Sequence, residues 1–519
     1  MPPMTIFTDV RNTSQIAAFT TDQIQAFTSD QIEAFTATQM PQFTTVQVQA
    51  FTTVQSASLT SLQIKALTTS QIAAIETTDL RALSTANIAG LGSAQVASLG
   101  IAQVAAMTTG QVKALSTANI AGLKTEQVAA LGIAQVAAMT TGQVKALTTG
   151  QVKALQTDQI AALGSAQLNA LTSSQVASIG SAEVKALTTT QMASLGTAQL
   201  NALTSSQVAS IGTVQIGGLT ATQVASLTTG QVKALQTDQI AALTTTQLNA
   251  LTSAQVAILT TGQLNALGTS QVAGLSTSAI TGLSTSAIES LTTAQLKAMT
   301  TTQVANLSAT QIAVISTIQI ASMETADLAK ISTAAINSLS TAQLAALSTT
   351  QMAALTTGQV KALTTTQMAA LTTGTISALT TTQMAALTTA QLTALTTTAI
   401  STLASNQVQS LSTDAISALS TAQVAGLSTD AISALSTAQV AGLSTDAISA
   451  LSTAQIQALG TAQVQALGTS QISGLTTDQV KSLSTASIAA LLTSNIAGLT
   501  TAQVQALSTD QVKSLSTDQ

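Results

Sequence analysis

A large apolar residue returns at every eighth position from Phe19 to Leu515, without one insertion or deletion. The series begins Phe19, Phe27, Phe35, Phe43, Phe51, Leu59, Leu67, Ile75, Leu83 and ends Leu499, Leu507, Leu515. It comprises 63 anchors and 62 intervals. A chain of 519 residues would ordinarily divide into several domains. Any linker between them would break the register, so the sequence reads as one continuous array. An eight-residue unit cannot enclose a core alone, and stability must come from stacking of neighbours.

Each octad is numbered here from its anchor. Position 1 is Leu, Phe, Ile or Met; positions 2 and 3 are mostly Thr or Ser; position 5 is usually Gln. Position 6 is Ile, Val, Leu or Met, and position 8 is Ala, Ser or Gly. Leu347-Ser-Thr-Thr-Gln-Met-Ala-Ala-Leu355 shows the pattern. One long helix would let the apolar stripe drift by roughly 80° per octad around the rod. A β-solenoid, the alternative fold, needs apolar–polar alternation within each strand, and positions 1, 6 and 8 do not alternate with 3 and 5. Ala and Gln are also poor strand formers.

The pattern fits a third arrangement. Ser or Thr at position 2 with Gln at position 5 is a capping box, and the apolar pair at positions 1 and 6 is a hydrophobic staple. Every octad thus carries a complete helix start, runs less than two turns and breaks at the next cap. The expected fold is all-α, a solenoid of very short capped helices, one per eight-residue repeat.

The charges give an independent indication. Asp22, Asp30, Asp158, Asp238, Asp414, Asp430, Asp446, Asp478, Asp510, Asp518 and Glu126 all occupy position 4. Lys65, Arg81, Lys113, Lys145, Lys153, Lys185, Lys233, Lys297, Lys361, Lys481 and Lys513 occupy position 7. Acids early and bases late follow the helix dipole, and residues three apart share one exposed helix face.

Longer duplications bear on how octads group. Ser412–Leu427 recurs sixteen residues on, Gly100–Leu115 thirty-two on, and Leu147–Leu163 eighty on. All are multiples of sixteen, which favours two octads per structural step, with three as the alternative. Two per step at a helix spacing of 8–10 Å implies a rod on the order of 250–310 Å.

Residues 1–58 diverge. They hold all six Phe, from Phe7 to Phe51, and all three Pro, of which Pro41 stands inside an expected helix and Gln42 takes a small-residue position. This stretch reads as N-terminal capping repeats, followed by a continuous octad solenoid over 59–519. The array stops at position 5 of an octad, and the expectation is a C-terminally truncated solenoid. Ser56, at a staple position, and Pro41 mark an expected weak region.

Composition removes most chemistry. There is no Cys, His, Trp or Tyr, which leaves no thiolate, no imidazole acid–base or metal ligand and no disulfide. Fourteen basic and nineteen acidic residues give a net charge of −5, against a nucleic-acid surface. Thr, Ser or Gln interrupts every apolar run, so no membrane insertion is expected. No N-terminal signal peptide, phosphate loop or calcium loop is visible. An activated Ser would need His, and a Ser–Lys pair would need a pocket. The expectation is therefore no enzyme, no cofactor and no catalytic, cofactor-binding or metal residue. The Gln row could serve as a binding ladder, but capping is the stronger reading. The Thr/Ser rows could meet a periodic surface such as ice or polysaccharide; capping and solubility account for them more economically.

The run Leu363-Thr-Thr-Thr-Gln-Met-Ala-Ala-Leu371 is similar to the opening of transcription-activator-like effector repeats. The longer period and base-reading pair of those repeats are missing, and the negative charge opposes that function. Across residues 19–519 the chain resembles the Leu-Thr-Thr-Ala-Gln-Val-Ala-Ala arrays of very large bacterial surface proteins, labelled adhesin-like or haem-utilisation-like. The resemblance implies an exported repeat region and no site residues. Haem binding finds no support in a chain without His or Tyr. The functional expectation is an extended spacer or shaft of a bacterial surface or secreted adhesin-like protein, extracellular or at the cell surface. An ice- or polysaccharide-binding solenoid and a scaffold for protein partners are the alternatives. Expected partners are an extracellular surface, a glycan or a further copy of the chain.

Overall fold

A computed structural model describes residues 13–519, and Phe7 and the rest of the first twelve lie outside them. Short helices repeat throughout, and no strand occurs among the described residues. The octad beginning at Leu355 illustrates the unit. Thr356 is extended (φ −71°, ψ 156°) and caps the helix Thr357–Ala362. Its hydroxyl accepts from the Gln359 amide at 3.1 Å, and its own amide donates to Gln359 Oε1 at 2.8 Å. The helix ends at Leu363, extended at φ −60°, ψ 137°, whose N–H still donates to Val360 O at 3.1 Å. Two extended residues with ordinary negative φ therefore separate successive helices, so the turn needs no glycine.

The staple pairs form the core. Leu355 and Leu363 are 3% exposed and Val360 is fully covered. Position-1 side chains of consecutive octads meet inside the coil. The rings of Phe19 and Phe27 stand edge to face at 5.2 Å, those of Phe35 and Phe43 at 5.0 Å, and those of Phe43 and Phe51 at 5.6 Å. Edge-to-face contact adds to the area these rings bury.

Within each unit, helices pack on the helix three octads away: Ser93–Ser98 on Thr117–Gly122, and Ser405–Gln409 on Thr429–Ala434. Hydrogen bonds between layers join residues 28 to 31 apart. The superhelix thus closes one turn in about three and a half to four octads. This corrects the expectation of two octads per step. A helix pair must reverse direction once per octad, whereas two residues near polyproline geometry turn the chain by only about a quarter circle.

The chain divides into two compact units, one ending at Ile258 and the other spanning Leu259–Gln519. The same octad geometry builds each. Ile258 puts a branched side chain at position 8, where Ala, Ser or Gly is usual.

The expected weak octad is the irregular one. Met40–Gln42 forms a 3-10 turn with Pro41 in its first positions, because proline has no amide to donate to a continuing helix. Ser56, by contrast, is 2% exposed within the regular helix Thr53–Ser58.

Candidate functional site: the glutamine seam between coils

Position 5 carries the chemistry of this fold. Gln359 Oε1 serves the cap of its own helix, while its Nε2 donates to Leu328 O at 2.8 Å and Ile331 O at 2.7 Å on the previous coil. The same pattern recurs in both units. Gln71 Nε2 donates to Met40 O at 2.9 Å and Phe43 O at 2.6 Å, and Gln439 Nε2 to Val408 O at 3.2 Å and Leu411 O at 2.7 Å. The acceptors are the position-6 carbonyl at one helix end and the position-1 carbonyl just beyond it. The position-1 carbonyl is one that a helix C-terminus leaves unpaired, whereas the position-6 carbonyl already accepts from the following position-1 amide, as Leu328 O does from Ile331, and takes the glutamine as a second donor. A single buried amide side chain therefore satisfies one helix start and the end of a helix one coil away. Gln359 is only 2% exposed, which makes both halves of that bonding obligatory.

Sequence reasoning assigned position 5 to capping and missed the bond across coils. One signal was present: Glu serves a capping box as well as Gln, yet position 5 is overwhelmingly Gln. Only an amide accepts on one side and donates on the other. Asn does so with shorter reach. Asn87 Nδ2 donates to Leu59 O at 2.7 Å, and Asn119 Nδ2 to Leu91 O at 2.9 Å.

Position 8 packs on position 3 of the coil beneath, 29 residues earlier. A Cβ on Gly122 would meet Ser93 Cβ at 3.1 Å, and one on Gly498 would meet the Thr469 carbonyl oxygen at 2.9 Å. Small residues at position 8 are thus what close approach of coils requires.

The polar rows divide by position. Position-2 hydroxyls are spent on caps, as Thr380 Oγ1 accepts from the Gln383 amide at 3.2 Å. Position-3 hydroxyls such as Thr357 and Thr381 are exposed. All eleven position-7 bases lie in the last turn of their helices, and ten of the eleven position-4 acids lie in a first turn. Asp518 is in a turn. The one salt bridge among the described residues joins Lys297 to Glu324 at 3.0 Å. Shallow surface grooves occur where Gly removes the cap side chain, one of about 550 Å³ beside Gly100, Glu76 and Gln49. Others of the kind include Gly132 and Gly212. Among the described residues no three His, Cys, Asp or Glu side chains converge as a metal site would require, and no helix is long and apolar enough to cross a membrane.

This geometry defines a repeat protein of the α-solenoid class. The chain matches the ALTTAQ repeat family over residues 12–37, 72–229, 232–269, 288–357, 360–397 and 400–517. It belongs to that family. No curated protein matches the chain.

Proposed function

We propose that the array is a non-catalytic spacer, the shaft of a surface-exposed, adhesin-like protein of bacterial type. The observation that supports it is the buried glutamine seam. Every layer so joined is held to the next by direct hydrogen bonds to backbone carbonyls, in a dry setting where an unmade bond is costly. Such a seam resists sliding and opening of layers and offers no pocket chemistry. The resemblance to repeat arrays of large surface proteins supports the location.

Pulling the chain by its ends tests the mechanical role. A spacer of this design should extend in steps of one coil, about 30 residues, releasing roughly 100 Å each at full extension. Smooth lengthening at low force would defeat the spacer reading. Labelling of intact cells that express the chain tests the location, and a signal only after lysis would oppose it.

A further inference from the structure

The glutamine register holds a carboxylic acid at Asp79, Glu183 and Asp327; Glu183 is half-buried, and the two covered aspartates lie one in each unit. The octads beginning at Ile75 and Met323 carry the same two exchanges, Glu at position 2 (Glu76, Glu324) and Asp at position 5 (Asp79, Asp327). Neither Glu makes a side-chain cap bond to its helix Thr77–Ala82 or Thr325–Leu328. Asp79 and Asp327 are nonetheless as covered as the glutamines, at 3% and 4% exposure. The register that sets each Gln amide against carbonyls 28 and 31 residues earlier assigns Asp79 to Phe51 and Val48, and Asp327 to Met299 and Leu296. A carboxylate only accepts, so against those oxygens it has nothing to offer; a carboxylic acid has one O–H to donate.

Burial pushes the Asp79 carboxyl above the usual carboxylate range; a hydrogen bond from the Thr53 side chain on the coil beneath opposes that, and the neighbouring Glu76 charge adds to it. Burial, then the Glu324 charge, pushes Asp327 the same way. The other charged neighbours are few. Beside Asp79 stands Arg81 on its own helix, while the packed helices Thr53–Ser58 and Ile101–Ala106 carry no titratable residue. Beside Asp327, Lys330 follows the helix and Lys297 of the coil beneath is taken by Glu324. The packed helices Thr301–Ala305 and Thr349–Ala354 carry no charge.

We propose that the two Glu–Asp octads are acid-tightened seams, in which protonated Asp79 and Asp327 donate across the coil boundary as the glutamine amides do elsewhere, and loss of those protons loosens the solenoid at these two points. The folded state holds these protons to higher pH than the unfolded chain does. Its extra stability is therefore complete below the ordinary Asp value of about 3.9 and is lost as pH rises through the raised value. The array would be stiffest in acid and would open first, as pH rises, at residues 48–54 against 79 and 296–302 against 327.

Hydrogen exchange of the full chain, read by mass spectrometry and normalised for intrinsic rate, tests this. Protection of peptides spanning 75–83 and 323–331 should rise several-fold between pH 7 and pH 4.5, while that of 140–155 should not. Asp79→Asn with Asp327→Asn puts at both sites a residue the ladder already uses at Asn87 and Asn119. Its protection at these peptides should be high and equal at the two pH values. Wild-type protection that does not rise on acidification, or a rise that persists in the double variant, overturns the proposal.

Discussion

Gln383 Nε2 lies 2.6 Å from the carbonyl oxygen of Leu355, a residue 28 positions earlier on the previous coil. The same nitrogen reaches Met352 O at 3.2 Å, while Oε1 accepts from the Thr380 amide at 2.7 Å. A side chain usually read as a local cap is the rivet between layers.

Gln383→Glu separates the two functions. The capping bond survives, but the donor to Leu355 and Met352 is replaced by an acceptor facing acceptors. The cost should be about 1–3 kcal/mol, as for any buried hydrogen-bonding group left unpaired. Gln383→Asn should cost less, because Asn retains the bond across 28 residues that Asn87 makes to Leu59. Urea unfolding of the three proteins measures the order, and equal stability of wild type and Gln383→Glu would remove the rivet from the account.

Leu355→Asp introduces a charge where the native side chain is 3% exposed. Unfolding of several adjoining octads is expected, since each layer is held by its neighbours. Lys361→Ala, on the exposed face of the next helix, should change stability by no more than about 0.5 kcal/mol. Limited proteolysis followed by mass spectrometry distinguishes them, with new cleavage near residues 320–390 in the first variant alone.

The local part of this architecture was legible in the octad. The Thr–Gln box, the Leu–Val staple and the placement of Asp22 and Lys65 each specify one short helix, and each depends only on residues within about one turn. The number of octads per coil was not legible. It accumulates from small differences in φ and ψ at position 1 and position 2, such as Leu355 and Thr356, and no side chain records that sum. The duplications at multiples of sixteen carried no such information, because the coil closes between 28 and 31 residues. The seam was half legible, in the preference for Gln over Glu. The burial of the acid exchanges at Asp79 and Asp327 was not legible, because the octad shows position 5 as polar without showing that it faces the next coil.

Gln42 offers a gain of stability. It occupies a small-residue position beside Pro41, and its Oε1 is buried without a hydrogen-bond partner. Its Nε2 makes one long bond, 3.4 Å, to Thr38 O. Gln42→Ala removes the orphaned oxygen and should raise stability by up to about 1 kcal/mol. Amide exchange across residues 36–43 should also slow towards that of residues 340–400. Faster exchange in the variant would show that the long side chain fills space the octad needs.

Glycines at positions 2 and 8 should respond to a methyl group with opposite signs. At Gly460, a cap position, an added Cβ comes no nearer than 3.5 Å to Gln463 Oε1. Its φ of −72° also suits any residue. Gly460→Ser supplies the missing cap hydroxyl and reduces the freedom of the unfolded chain, for a gain of a few tenths of a kcal/mol up to about 1. At Gly498, position 8, the same Cβ would stand 2.8 Å from Thr469 Cγ2 and 2.9 Å from the Thr469 carbonyl oxygen on the coil beneath. Backbone cannot move aside as a flexible side chain can, so Gly498→Ala should cost about 1–3 kcal/mol through overpacking. Denaturant midpoints of the two variants against wild type decide the matter. A loss at Gly460 or a gain at Gly498 would mean that position 8 does not set the distance between coils.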